Sequence, residues 1–248
     1  MNTKQIQIRL RRSVALAVVV AILSCELFIA SAAELPPSVD EYASALNAIT
    51  SSRGRQSLEE LFEIAIKSAP HVQAILDTLS PGELAALRKK MPGMQITRAE
   101  PATVRPSAAF FAKLARRKGD KADRAFFAIY ERSEPDSSPG APAYIALSDG
   151  RPGCTRFDGP LLVALYRGWL SFRTEYPDAY ATEAQGEIDS LDAELAAGTC
   201  ACASRNQVAA GFEEFIKAFP DLPLTQKVRA RLDRIKAGTS QMRFGCRG

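Results

Sequence analysis

Apolar residues recur at helical spacing along most of the chain. The pattern is cleanest in the C-terminal part. Leu161, Leu165, Trp169, Phe172 and Tyr176 fall at steps of four, four, three and four. Tyr180, Ala184, Ile188, Leu191 and Leu195 repeat that rhythm. Val208, Phe212, Phe215 and Phe219 follow, and then Leu224, Val228, Leu232 and Ile235. Each run gives its helix one apolar face to bury against a neighbour.

Start and stop signals extend the reading to the whole chain. Ser57-Leu58-Glu59-Glu60, Ser80-Pro81-Gly82-Glu83 and Ser204-Arg205-Asn206-Gln207 each carry the pattern of a capping box. Gly198 and Gly238 stand where helix C-terminal caps belong. These signals predict helices over 38–50, 58–68, 70–78, 81–91, 106–118, 121–132, 160–176, 179–197, 205–219 and 223–237. Residues 92–106 read as a connector. Residues 133–153 hold four Pro and three Gly and read as a long loop with a short extended piece at 143–147. That loop is taken as the boundary between an N-terminal helical region, 33–132, and a C-terminal helical-hairpin domain, 154–248. The expected fold class is all-α: a bundle of short helices followed by two antiparallel hairpins, stapled by disulfides.

The two hairpins share a motif. Trp169-x2-Phe172-x3-Tyr176-Pro177-Asp178 matches Phe212-x2-Phe215-x3-Phe219-Pro220-Asp221, displaced by 43 residues. Aromatics anchor the first helix, Pro ends it, and Asp offers an N-cap to the next. Over residues 160–237 this resembles the helical hairpins of tetratricopeptide-like repeats in bacterial envelope proteins. The second helices lack that family's small-residue pair and its Leu-Gly-x2-Tyr signature. The resemblance implies a helix-hairpin scaffold used for protein contacts.

The first 32 residues read as an export signal. Lys4, Arg9, Arg11 and Arg12 form a basic start, residues 13–25 are uncharged and mostly aliphatic, and Ala30-Ser31-Ala32 supplies a cleavage motif with the cut between Ala32 and Ala33. An uncleaved anchor helix is one alternative. A lipoprotein processed and lipid-anchored at Cys25, after Ile22-Leu23-Ser24, is another. Cleavage before Ala33 removes four basic residues and one acidic residue, which leaves 28 bases against 27 acids and a net charge of +1. The basic balance therefore belongs largely to the signal and gives no reason to expect a nucleic-acid partner.

Four cysteines follow the signal: Cys154, Cys200, Cys202 and Cys246. An even count in an exported chain predicts two disulfides. Bridging Cys200 to Cys202 would close a very small ring. Cys154 is therefore expected to pair with one of them and Cys246 with the other, in either order. A zinc site or a redox-active pair is the functional alternative, and neither has its usual spacing or context.

Charge is segregated. Residues 88–124 hold eleven bases against three acids, and residues 175–194 hold seven acids and no base. Arg116, Arg117, Lys118 and Lys121 are candidates for an anion-facing patch that would meet anionic lipid or lipopolysaccharide. The alternative is a set of solvated helix faces. His71 is the only histidine, which leaves little room for a histidine relay or a histidine-rich metal site. No phosphate-loop or dinucleotide motif occurs after the signal, and no cofactor is expected. Carboxylate chemistry on a glycan remains open through Glu131 and Glu134 with Asp136, or Asp149 with Asp158. The loop residues Tyr144, Asp149, Arg151, Arg156 and Asp158 are the candidate binding surface, because loops carry function more often than helix faces do.

The expectation is an exported envelope protein, periplasmic or secreted. It acts as a non-catalytic interaction or scaffold module whose partner is another envelope protein. A small hydrolase of peptidoglycan or another glycan, and a lipid- or anion-binding surface protein, are the alternatives.

Overall fold

A computed structural model describes residues 35–51, 57–98, 102–138, 140–148 and 151–247. The expected signal, its Ala32–Ala33 cleavage site and Cys25 lie outside the described residues. Among these the elements run α1 (Pro37–Thr50), α2 (Leu58–Ile75), α3 (Pro81–Lys90), β1 (Met94–Thr97), β2 (Thr103–Pro106), α4 (Ala108–Lys118) and α5 (Lys121–Ser133), then β3 (Ile145–Ser148), β4 (Arg151–Thr155), α6 (Leu161–Glu175), α7 (Ala181–Ala197), α8 (Arg205–Ala218) and α9 (Pro223–Lys236). The fold is mostly α, with two two-stranded antiparallel pairs, β1–β2 and β3–β4.

Local chemistry starts and ends these helices. The Ser80–Glu83 box is complete, with Ser80 N–H donating to Glu83 Oε2 at 2.7 Å and Glu83 N–H to Ser80 Oγ at 3.3 Å. At Ser57 the hydroxyl accepts from Glu60 N–H. At Ser204 the N–H and the hydroxyl both donate to Gln207 Oε1. A reciprocal pair between Asp120 and Asp123 opens α5 in the same way. Gly198 caps α7, and Gly238 follows α9 at φ 74°.

Several expectations are corrected. The helices expected over 58–68 and 70–78 are one helix, α2, which runs through Pro70. Proline there removes the bond to the Ile66 carbonyl, and Ile66 is 39% exposed, so water can take the place of the missing donor. The connector 92–106 contains the β1–β2 hairpin, whose Met94, Ile96, Val104 and Pro106 alternate inward. Four-residue strands in a Pro- and Arg-rich stretch give period-two alternation too little length to register. Asp178 and Asp221 are not caps: the N-cap positions of α7 and α9 belong to Tyr180 and Leu222.

Both disulfides form, as Cys154–Cys202 and Cys200–Cys246. They tie three extended segments together. Residue 155 pairs with Ala201 and Cys200 pairs with Arg243 by isolated parallel bridges, so the β3–β4 hairpin, residues 199–203 and the C-terminal tail lie side by side. Thr155 N–H donates to Cys200 O at 2.9 Å, and Ala201 N–H to Arg243 O at 2.9 Å.

The core is aromatic and crosses the segment 133–153. Phe62 of α2 packs edge-on against Phe111 of α4 and against Phe126 and Phe127 of α5. Phe126 in turn meets Trp169 and Phe172 of α6. Leu35–Gly248 forms one compact unit. The helices after the loop pair as α6–α7 and α8–α9, with α6 against α8 and α7 against α9. Gly211 of α8 lets the helix lie against the Phe157 backbone: a Cβ there would fall on the Phe157 carbonyl oxygen.

Candidate functional site

Of the expected loop surface, Tyr144 is withdrawn into the core, where it is only 2% exposed. Its hydroxyl has a raised pKa, first because of burial and then because Glu187, Glu134 and Glu194 lie near it. Arg156 is exposed, and its N–H closes the hairpin base on Tyr144 O at 2.8 Å. Asp158 is half-buried in the turn before α6. Asp149 lies outside the described residues, and Arg151 contributes its backbone to β4.

The basic candidates are end-of-helix charges. Arg116, Arg117 and Lys118 are exposed in the last turn of α4, where cations favour the carbonyl end of the helix. Arg116 reaches Glu131 at 3.6 Å. Lys121 is the exposed first residue of α5. Other bases of the stretch bond to carbonyls: Arg88 to Ile96 O, Arg98 to Leu76 O and Leu79 O, and Arg124 to Gly119 O. His71 is exposed on α2 rather than at a helix start.

Three of the acids considered for glycan chemistry, Glu131, Glu134 and Asp136, are held by the fold. Glu131 faces Arg116. Asp136 caps α4, accepting from Ala108 N–H at 2.8 Å and from the Ser107 hydroxyl at 2.5 Å. Glu134 pairs with Arg105 at 2.9 Å, and that guanidinium also binds Gln95 Oε1, Pro135 O and Ser138 O. The partner of interest for Glu134 is Glu187 of α7, which no spacing in the sequence indicates. Glu187 accepts from the Ser133 hydroxyl at 2.8 Å, and Ser133 Oγ accepts from Trp169 Nε1 at 3.2 Å. Burial, then Glu187, push Glu134 up to about 7 against the pull of Arg105. Burial raises Glu187 as well, against its Ser133 bond. Such a carboxyl can exchange a proton near neutrality, but its oxygen is occupied by Arg105.

A second junction gathers the starts of α2, α5 and α7. Ser57, Asp120 and Tyr180, their N-cap residues, line one cleft of about 240 Å³. Glu59 Oε1 accepts from Tyr180 N–H, and Asp123 Oδ1 accepts from the Tyr180 hydroxyl at 2.6 Å. These carboxylates answer three positive helix ends. Glu59 is raised by burial, and its bond to Tyr180 opposes that shift.

Solvent meets the hairpins in a third place. An open groove of about 560 Å³ runs between α6 and the end of α8, lined by Arg167, Leu170, Ser171, Thr174, Glu175 and Phe219. Arg167 lies over the Phe219 ring at 5.7 Å, and Phe219 packs on Phe215 and Tyr166. Phe219 belongs to the repeated aromatic stripe. Its half-exposed position depends on where α8 ends against α6.

No family model, curated protein or solved structure matches this chain. Two disulfides on four cysteines indicate a non-cytoplasmic environment. Among the described residues no helix is long and apolar enough to cross a membrane.

Proposed function

We propose that this chain is an exported, non-catalytic interaction module of the cell envelope, periplasmic or secreted, whose stacked hairpins serve as a tetratricopeptide-like scaffold. The groove between α6 and Phe219 carries the reading. It offers Leu170 and the Phe219 ring as an apolar floor, with Arg167 and Glu175 providing opposite charges at the rim. An envelope protein presenting an extended or helical segment with one apolar anchor and flanking charges fits such a surface. Of the carboxylates considered for a hydrolase, Glu134, Glu131 and Asp136 are bonded to Arg105, Arg116 and Ser107, which weighs against a glycan hydrolase built on those three.

The test is affinity capture from envelope extract with the wild-type chain and with Leu170→Glu. Leu170 is only half-buried, so the variant folds, which circular dichroism checks. A protein retained by the wild type and lost on Leu170→Glu supports the reading. Identical captured sets overturn it. Mass measurement of the native protein checks export: a start at Ala33 and two bridges are expected.

A further inference from the structure

The last turns of α7 and α9 meet beside the C-terminal tail, and their carbonyls are served internally. Arg231 donates to Glu194 O at 2.9 Å and Leu195 O at 2.6 Å, and also to Gly198 O. At the end of α9, Asp233 O, Ile235 O and Arg234 O accept from the N–H groups of Ala237, Gly238 and Thr239. The negative ends of both helices are thereby blunted.

The adjoining cleft of about 350 Å³ is lined by Arg234, by Arg231, whose guanidinium has N–H groups left after serving those three carbonyls, and by Thr199, Ser240 and Gln241. One wall is the tail itself. It is fixed by the Cys200–Cys246 bridge and by Arg243 N–H donating to Thr199 O at 2.9 Å, so the cleft needs no ordering when a ligand enters.

We propose that this cleft binds a phosphoryl group, with Arg234 and Arg231 as its cationic contacts and the Thr199 and Ser240 hydroxyls as further donors. A carboxylate has two oxygens and is served by one guanidinium fork. Two guanidiniums with hydroxyls around them suit the three oxygens of a phosphoryl group better. Among the described residues neither arginine forms an ion pair. The nearby acid, Glu194, accepts from the Thr155 hydroxyl at 2.6 Å. Arg231 is held down to about 10 by burial and then by Arg234, with Glu194 opposing. An anion in the cleft relieves that repulsion. The site is separate from the α6–Phe219 groove and does not rest on it.

The phosphoryl group can come from a small soluble ester or from a phospholipid head. Inorganic phosphate is titrated into the oxidised protein by calorimetry at low ionic strength. Saturable one-site binding is expected, roughly tenfold weaker or worse in Arg234→Ala, partly restored in Arg234→Lys, unchanged in Arg229→Ala, and weakened by salt. Arg234 is exposed, so its removal leaves the fold intact. Vesicles of phosphatidylcholine with and without phosphatidylglycerol separate the sources. Vesicle binding that needs Arg234 and is displaced by phosphate assigns a lipid head, and phosphate binding without vesicle binding assigns a soluble ligand. Absence of saturable phosphate binding, or equal weakening by Arg229→Ala and Arg234→Ala, overturns the proposal.

Discussion

Tyr180 stacks on Phe126 with ring centroids 4.0 Å apart and planes 12° from parallel. The contact joins the loop before α7 to the middle of α5. It holds although Tyr180 has φ 47°, a left-handed conformation that costs a tyrosine energy. The ring is 1% exposed, and its hydroxyl donates to Asp123. The aromatic packing, the Asp123 bond and the N–H bond to Glu59 together outweigh the backbone strain.

Two replacements separate ring from hydroxyl. Tyr180→Phe keeps the stack and removes one charge-assisted bond, a loss of about 1.5–3 kcal/mol. Tyr180→Ala also opens a cavity and costs about 3–5 kcal/mol or more. Urea unfolding reads both. Equal midpoints for the two variants would show that the ring contributes nothing.

Stability should depend on pH through Glu134 and Glu187. Both carboxyls have raised pKa values in the folded state, so the unfolded chain ionises first and the folded state binds more protons. The stabilisation is complete below the unfolded value of 4.5 and is lost as pH rises through about 7. The loss from Glu134 is on the order of 3 kcal/mol, since one pKa unit is about 1.4 kcal/mol. Glu187→Gln keeps an acceptor for Ser133 and removes the charge that adds to burial in raising Glu134, so it should lessen the decline. Urea midpoints between pH 4.5 and 8 that are superimposable for wild type and variant would contradict the assignment.

Two glycines should respond with opposite sign to the same change. Gly211→Ala drives a methyl into the Phe157 carbonyl and should destabilise by about 1–3 kcal/mol. Gly186→Ala meets nothing within 4 Å on α7 and should stabilise by about 0.5–1 kcal/mol through helix propensity. Thermal melts decide it, and a common direction for both would refute the packing of α8 on Phe157.

Arg231 ties α9 to the end of α7 through three carbonyls and lies over the Phe157 and Phe212 rings. Arg231→Met keeps much of the volume but leaves those carbonyls without their donor. A loss of about 3–5 kcal/mol is expected, read by urea unfolding. A near-neutral result would mean that water replaces the guanidinium.

Reduction should free the tail. Each bridge closes a loop of nearly fifty residues, with sequence separations of 48 and 46, and contributes about 3–4 kcal/mol on a loop-entropy model. Cys246→Ser, which breaks the tail bridge alone, should lower the urea midpoint and expose amides of residues 199–203 to hydrogen exchange. Unchanged protection there would place the tail's stability in its backbone bonds instead.

The sequence by itself determined the helices, because helical periodicity, capping serines and terminal glycines are local signals read within a turn or two. It also favoured Cys154 and Cys246 dividing Cys200 and Cys202 between them, since a bond across one intervening residue closes a small, strained ring. Which way they divide was decided by the side-by-side placement of residues 155, 201 and 243. The same is true of Glu134 with Glu187, of Tyr144 turning inward, and of the cleft where Arg231 and Arg234 of α9 meet Thr199 and Ser240. Each joins residues from separate elements, and their proximity is created by packing faces together rather than by spacing along the chain. Pro70 inside α2 and the short β1–β2 hairpin belong to the tertiary structure for a related reason. There the aromatic core around Phe62 and the buried face of β1–β2 outweigh what the local residues prefer.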